Sequence, residues 1–154
     1  MAVLSGCSRP ADGESPYGTV FPVEVGGRVF QVEVVFRDRE RARGLQGRER
    51  LPEGHGMLFL FERPRQQFFW MRNTSIPLDI GFFDESGLLR EILPLVPHSE
   101  DRVASRHDHI QFALEVNRGG FSRAGVQPGD RLNLSQVGQA LRARGGDPTR
   151  FSIR

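Results

Sequence analysis

Phe21, Val23 and Val25 alternate with Pro22 and Glu24, and beyond Gly26-Gly27 the alternation resumes at Phe30, Val32, Val34 and Phe36. A period of two places one apolar set on one strand face, and a Gly-Gly pair supplies the two positive-φ positions of a tight turn. The segment therefore predicts a β-hairpin. Met57 to Phe61 is an unbroken apolar run, too short for a helix and suited to a buried strand. Phe68 to Met71 is a second, aromatic run. Ile76, Leu78, Ile80 and Phe82 alternate with Pro77, Asp79 and Gly81, and the turn Asp84-Glu85-Ser86-Gly87 leads into Leu88 to Val96, a second hairpin. Phe112, Leu114 and Val116 alternate with Ala113, Glu115 and Asn117 to give another strand, and Arg131 to Leu134 reads as a last one.

Helical signals are short. Asp38 can cap a helix of Arg39 to Arg43 that stops near Gly44, Gly120 to Val126 reads as a brief helix, and Val137 to Arg144 is weakly helical before Gly145-Gly146. Pro97 to His109 is polar and aperiodic, a long loop. Roughly seven strands without βαβ alternation predict a mainly β fold, an antiparallel sandwich or barrel with one or two short helices. Residues 1–18 are small, polar and turn-forming, a flexible linker. Residues 19–134 form a single β domain, and 135–154 a weakly helical extension.

Composition narrows the class. The chain has 154 residues, 38% hydrophobic and 26% charged, enough to bury a core without disulfides, and it is neither collagen-like, disordered nor coiled-coil. No apolar run approaches the ~18 residues of a membrane-spanning helix. A single cysteine, Cys7, excludes an internal disulfide, a zinc finger and a Cys-pair redox centre. The pI near 9.4 accompanies a net charge of only +2, because every basic residue is Arg and none is Lys. So balanced a charge gives little counterion release, and no nucleic-acid partner is expected.

The strings Ala42-Arg43-Gly44-Leu45, Gly56 to Phe61, Phe69-Trp70-Met71-Arg72-Asn73-Thr74-Ser75-Ile76-Pro77-Leu78-Asp79-Ile80, Leu114-Glu115-Val116-Asn117 and Gly129-Asp130 occur in that order. On them the chain resembles the uncharacterised ancient-conserved-region family, domain of unknown function one hundred and ninety-two, from about Val32 to Leu134. The resemblance implies a compact β domain of jelly-roll type, often found behind an export signal, with no established reaction. Gln46 departs from the Met usual after Gly-Leu. The stretch Ser105 to His109 departs from a Pro-Ala-containing approach to the Leu-Glu strand, so no loop function carries over.

Several residues carry candidate chemistry. Leu4-Ser5-Gly6-Cys7 has the form of a lipobox, whose cysteine thiol takes a lipid. Its usual context is a basic and apolar leader upstream, and an adjoining segment of that kind is required for this reading. The alternative is a plain N-terminus with a free thiol. Asp79 and Glu115 lie at polar positions of apolar strands, with Asn117, Arg72 and Asn73 near them in pattern. Neighbouring strands would converge two carboxylates as an acid and a base, whereas the structural alternative makes them acceptors for Arg43, Arg72 or loop amides. Trp70, beside Arg72 and Asn73, offers a stacking platform with polar anchors, although core packing also explains the run Phe68 to Met71.

His98, Glu100, Asp101, His107, Asp108 and His109 crowd one loop, but no spacing fixes a third ligand, so a solvated loop and no metal site are expected. Arg37, Arg39, Arg41, Arg43, Arg48 and Arg50 are interleaved with Asp38, Glu40 and Glu49, which suits a solvated face better than an anion patch. No phosphate loop, serine elbow or zinc-protease motif occurs, and no cofactor is expected. These readings converge on an extracytoplasmic, lipid-anchored, monomeric binding or accessory module at the cell envelope, serving a small ligand or an envelope protein. Its candidate ligand-binding residues are Arg43, Trp70, Arg72, Asn73, Asp79, Glu115 and Asn117. The competing reading is a hydrolase using Asp79 and Glu115, and the competing location is the cytoplasm.

Overall fold

A computed structural model describes residues 15–154. Its strands are β1 (Val20–Val25), β2 (Arg28–Val35), β3 (His55–Arg65), β4 (Phe68–Phe69), β5 (Leu78–Asp84), β6 (Leu89–Leu95), β7 (Val103–Ala104) and β8 (Ile110–Asn117). The helices are α1 (Asp38–Arg43), α2 (Gly120–Ala124) and α3 (Leu134–Ala143), followed by a 3-10 turn at Pro148–Phe151. Six strands form one sheet in the order β1-β2-β3-β8-β5-β6, and β4 pairs β7 separately. The fold is mainly β and sandwich-like, with short helices. Of the two expected architectures the barrel is not formed, because β1 and β6 end the sheet without meeting.

Both expected hairpins are present. Gly26 and Gly27 turn β1 into β2 at φ 58° and 76°, values that residues with a Cβ rarely adopt. Asp84 holds the β5–β6 turn by accepting hydrogen bonds from the Ser86 and Leu88 amides.

The sheet is mainly antiparallel, as expected, with one parallel pair. β2 and β3 run parallel, with Val34 opposite Leu58, and α1 lies in the crossover between them. A single βαβ unit leaves no repeating alternation to detect, and the joining helix is only 6 residues long. Arg37 rather than Asp38 caps that helix, and its backbone N–H donates to Glu40. The last expected strand is reduced to two isolated bridges, Val25 to Leu132 and Leu88 to Arg131. Of Phe68 to Met71 only the first two residues are strand, and they pair with β7 inside the segment expected to be loop.

Alternation splits the core in two. Val32, Val34, Leu58, Leu114 and Val116 face the layer made by α2, α3 and the 3-10 turn, which contributes Phe121, Val137, Leu141, Phe151 and Ile153. The chain after residue 134 is thus part of the core, with α3 capped by the Asn133 side chain. On the opposite face Val35, Met57, Phe59, Ile80 and Phe82 pack with Leu45, Met71 and Ile76 from the α1 and β4 segments. The candidate site lies within this second layer.

Candidate functional site

Glu115 interrupts the apolar face on which it stands. It is opposite Met57 of β3 and Ile80 of β5, at the centre of the sheet, and is 5% exposed. Burial pushes its carboxyl up to about 8, so the group is largely protonated at neutral pH. Desolvation is the only cause of that shift, and no hydrogen bond or ion pair reaches the carboxyl among the described residues.

One strand beyond Met57 on the same face, Glu33 is treated differently. Both of its oxygens accept from the Arg48 guanidinium, one at 2.8 Å. Glu33 is thus a buried glutamate with a counter-charge, and Glu115 is one without.

Glu115 opens into a cleft of about 250 Å³ between the end of α1 and β4. Its walls are the segment Arg41 to Gln46, the rings of Phe59, Phe61, Phe68, Phe69 and Trp70, and the side chains of Met71 and Thr74. Phe69 organises the aromatic wall. Its ring stands edge-on to Phe59 at 5.0 Å and to Phe61 at 6.2 Å, and tilts against Phe82 at 5.8 Å. Because side chains alternate along β4, inward Phe69 leaves Phe68 54% exposed, and Trp70 just beyond the strand is 44% exposed.

The cationic groups around the cleft are already engaged. Arg41 donates to Asp38 at 2.5 Å and to the carbonyls of Phe36 and Leu60, and lies over the Phe61 ring. Arg43 sits 5.5 Å above Tyr17, and Arg72 sits 5.5 Å above Trp70 while pairing with Glu100 at 3.3 Å.

Of the residues singled out in the sequence, Arg43, Trp70 and Glu115 line the cleft, and Arg72 packs on its outer wall. Asn73 is exposed, and its carbonyl accepts from Gly47 to brace the neighbouring turn. Asn117 is two residues from Glu115 but is tied through its side-chain amide to the Leu51 carbonyl at 2.7 Å.

The paired-carboxylate expectation is corrected. Asp79 is the register partner of Val116, whereas Glu115 is the partner of Ile80, so the two acids point to opposite faces of the sheet. Asp79 accepts from the Gly119 amide at 2.8 Å and from Arg118 at 3.0 Å, which makes it a loop anchor.

Cys7 lies outside the described residues. In the polar loop, His107, Asp108 and His109 border a surface hollow with Asp84, Glu85 and Arg90. Among the described residues no three His, Cys, Asp or Glu side chains come together as metal ligands. Sequence reasoning missed Phe59, Phe61 and Gln46 as lining residues. The first two were read simply as buried strand, and Gln46 as a neutral departure, yet its amide turns back to the Ala42 carbonyl at the cleft edge.

The model of the DUF192 family, described as Uncharacterized ACR, matches residues 21–134. This chain belongs to that family. Two solved structures resemble this DUF192 protein over most of its length. One is a candidate transcription regulator from Sinorhizobium meliloti 1021, 38% identical, covering 79% of this chain and 97% of its own, with a TM-score of 0.70. The other is a protein of unknown function from Novosphingobium aromaticivorans DSM 12444, 33% identical, covering 86% of this chain and 98% of its own, with a TM-score of 0.71. No curated protein matches.

Proposed function

We propose that this DUF192 protein is a small-molecule-binding module of the cell envelope. The observation that carries the binding reading is the buried, unpartnered Glu115 carboxyl opening into a cleft walled by five aromatic rings. An unmet polar group inside an apolar pocket is what fixes a ligand's orientation, while the rings supply contact area. A catalytic pair is not favoured, since Asp79 faces the other side of the sheet. The envelope location is supported by the lipobox pattern at Cys7 and by the linker that follows it. Regulation of transcription, the role named for the S. meliloti relative, gains no support from the charge. The net is +2, and the longest helix among the described residues, α3, turns Val137, Ala140 and Leu141 into the core.

Trp70 is the only tryptophan and stands in the cleft wall, so its emission reports occupancy. A metabolite screen should yield compounds that shift Trp70 emission and raise the melting temperature. A ligand at ~100 times its Kd stabilises by about 2.7 kcal/mol. Trp70→Ala should weaken those compounds at least several-fold while leaving the fold intact, because the ring is half exposed. A screen in which nothing moves either signal would end the binding reading.

A further inference from the structure

Resting on that binding reading, we propose that the cleft takes an organic ammonium cation, with the Glu115 carboxylate as its counter-ion and the aromatic wall as its cage. Three observations converge on this class of ligand.

Glu115 is the one acidic side chain among the described residues that line the cleft, and no other group among the described residues answers it. The charged groups around it are accounted for element by element. β2 contributes Glu33, which is consumed by Arg48. α1 contributes Arg41, bound to Asp38 and two carbonyls, and the turn after it contributes Arg43, exposed at the mouth beside Tyr17. β3 and β5 present the uncharged Met57 and Ile80, and the segment after β4 presents Met71. Had Arg41 or Arg43 been aimed at the carboxyl, its proton affinity would be lowered, whereas burial alone acts on it.

The rings form the second observation. Phe59, Phe61, Phe69 and Trp70 line the same space, and two of them already receive guanidinium groups, Phe61 that of Arg41 in the cleft wall at 5.4 Å and Trp70 that of Arg72 beside the cleft at 5.5 Å. Aromatic faces attract a weakly hydrated cation most strongly where water is excluded, and clusters of them recognise quaternary ammonium groups.

The third observation is the balance at the carboxyl itself. A neutral ligand can satisfy its hydrogen bonds but gains nothing from its charge. A cation recovers the interaction that burial denies, by driving Glu115 to release its proton to solvent and stand as a carboxylate against the ammonium group. With the free group titrating near 8, that ionisation reduces apparent affinity only about tenfold at pH 7.

The test uses choline, whose charge is permanent, and dimethylbutanol, its neutral carbon isostere, titrated calorimetrically into the full chain in buffers of different ionisation enthalpy. Choline should bind at least tenfold tighter above pH ~8, weaken about tenfold per pH unit below it, and release close to one proton per molecule bound there. Glu115→Gln, whose fold is checked by its unfolding transition, should abolish the proton release, the pH dependence and the preference for choline. Dimethylbutanol should bind the variant as it binds the native chain. Equal, pH-independent binding of the two probes would overturn the ammonium assignment and leave the cleft as an apolar ligand site. Binding of neither probe, while other metabolites shift Trp70 emission, would overturn the assignment alone. Silence of both probes and of the whole screen would remove the binding reading with it.

Discussion

Arg144, at the end of α3, is 2% exposed and donates to Glu40 of α1 across 104 residues of sequence. The same guanidinium donates to the Ser15 carbonyl at 2.9 Å, and the Arg144 carbonyl accepts from Arg37 at 2.9 Å. The helix that forms one wall of the cleft is thereby tied to the C-terminal tail.

Arg144→Met should therefore destabilise the protein by about 2 kcal/mol, since the Ser15 carbonyl loses its guanidinium donor and the largely buried Glu40 carboxylate loses its buried partner, keeping only Arg37 and the Phe36 amide. Chemical denaturation measures this as a lower midpoint at unchanged slope. Adding Glu40→Gln to Arg144→Met should cost less than Glu40→Gln alone, because the pair it breaks with Arg144 is already gone. Strict additivity of the two would refute the coupling.

Stability should also depend on pH through Glu115. Its folded carboxyl titrates near 8 against an ordinary value of 4.5, so the native state holds a proton that the unfolded chain has released. The stabilisation is complete below pH 4.5, declines by about 1.4 kcal/mol per unit as pH rises, and is exhausted above 8. Glu115→Gln does not titrate. The variant should gain on the native chain across that window, by about 3 kcal/mol at neutral pH, and parallel pH profiles for the two proteins would contradict the assignment.

Asp79→Asn tests the separation of the two faces. It removes the charge from the contacts to Arg118 and Gly119 and should cost about 1 kcal/mol in thermal unfolding. Ligand-induced changes in Trp70 emission should be unaltered, because Asp79 lies across the sheet from the cleft. Loss of those changes in a folded Asp79→Asn protein would return Asp79 to the site.

The parts of this fold that were legible in the sequence are those governed by local chemistry. Gly26-Gly27 and Asp84 to Gly87 set their hairpins through turn geometry, and the period of two along Phe112 to Val116 set β8. Long-range pairing was not legible. Nothing in the apolar run Met57 to Phe61 distinguishes a parallel neighbour from an antiparallel one, so the β2–β3 crossover stayed hidden. The same ambiguity governed the site. Alternation identified Asp79 and Glu115 as unusual acids, but a face is assigned only once register is known, and the register of β5 on β8 sends them apart. Trp70 and Arg43 were found through their residue types and their motif, while Phe59 and Phe61 became part of the site only when β4 was seen to fold over them.

The sheet order has a consequence for synthesis. β8 lies between β3 and β5, although it follows both in the chain, so a chain emerging from the ribosome carries two strand assemblies with open inner edges until residues 110–117 arrive. At ~5–20 residues per second that interval lasts a few seconds, during which those edges are open to the wrong partner. The strand that closes the gap is almost wholly apolar from Ile110 to Val116 apart from Gln111 and Glu115. While β8 is free and solvated, Glu115 is ionised at neutral pH, and a charge inside such a run opposes its pairing with copies of itself. The residue that burial later neutralises is thus a charge within the strand for as long as that strand is unpaired.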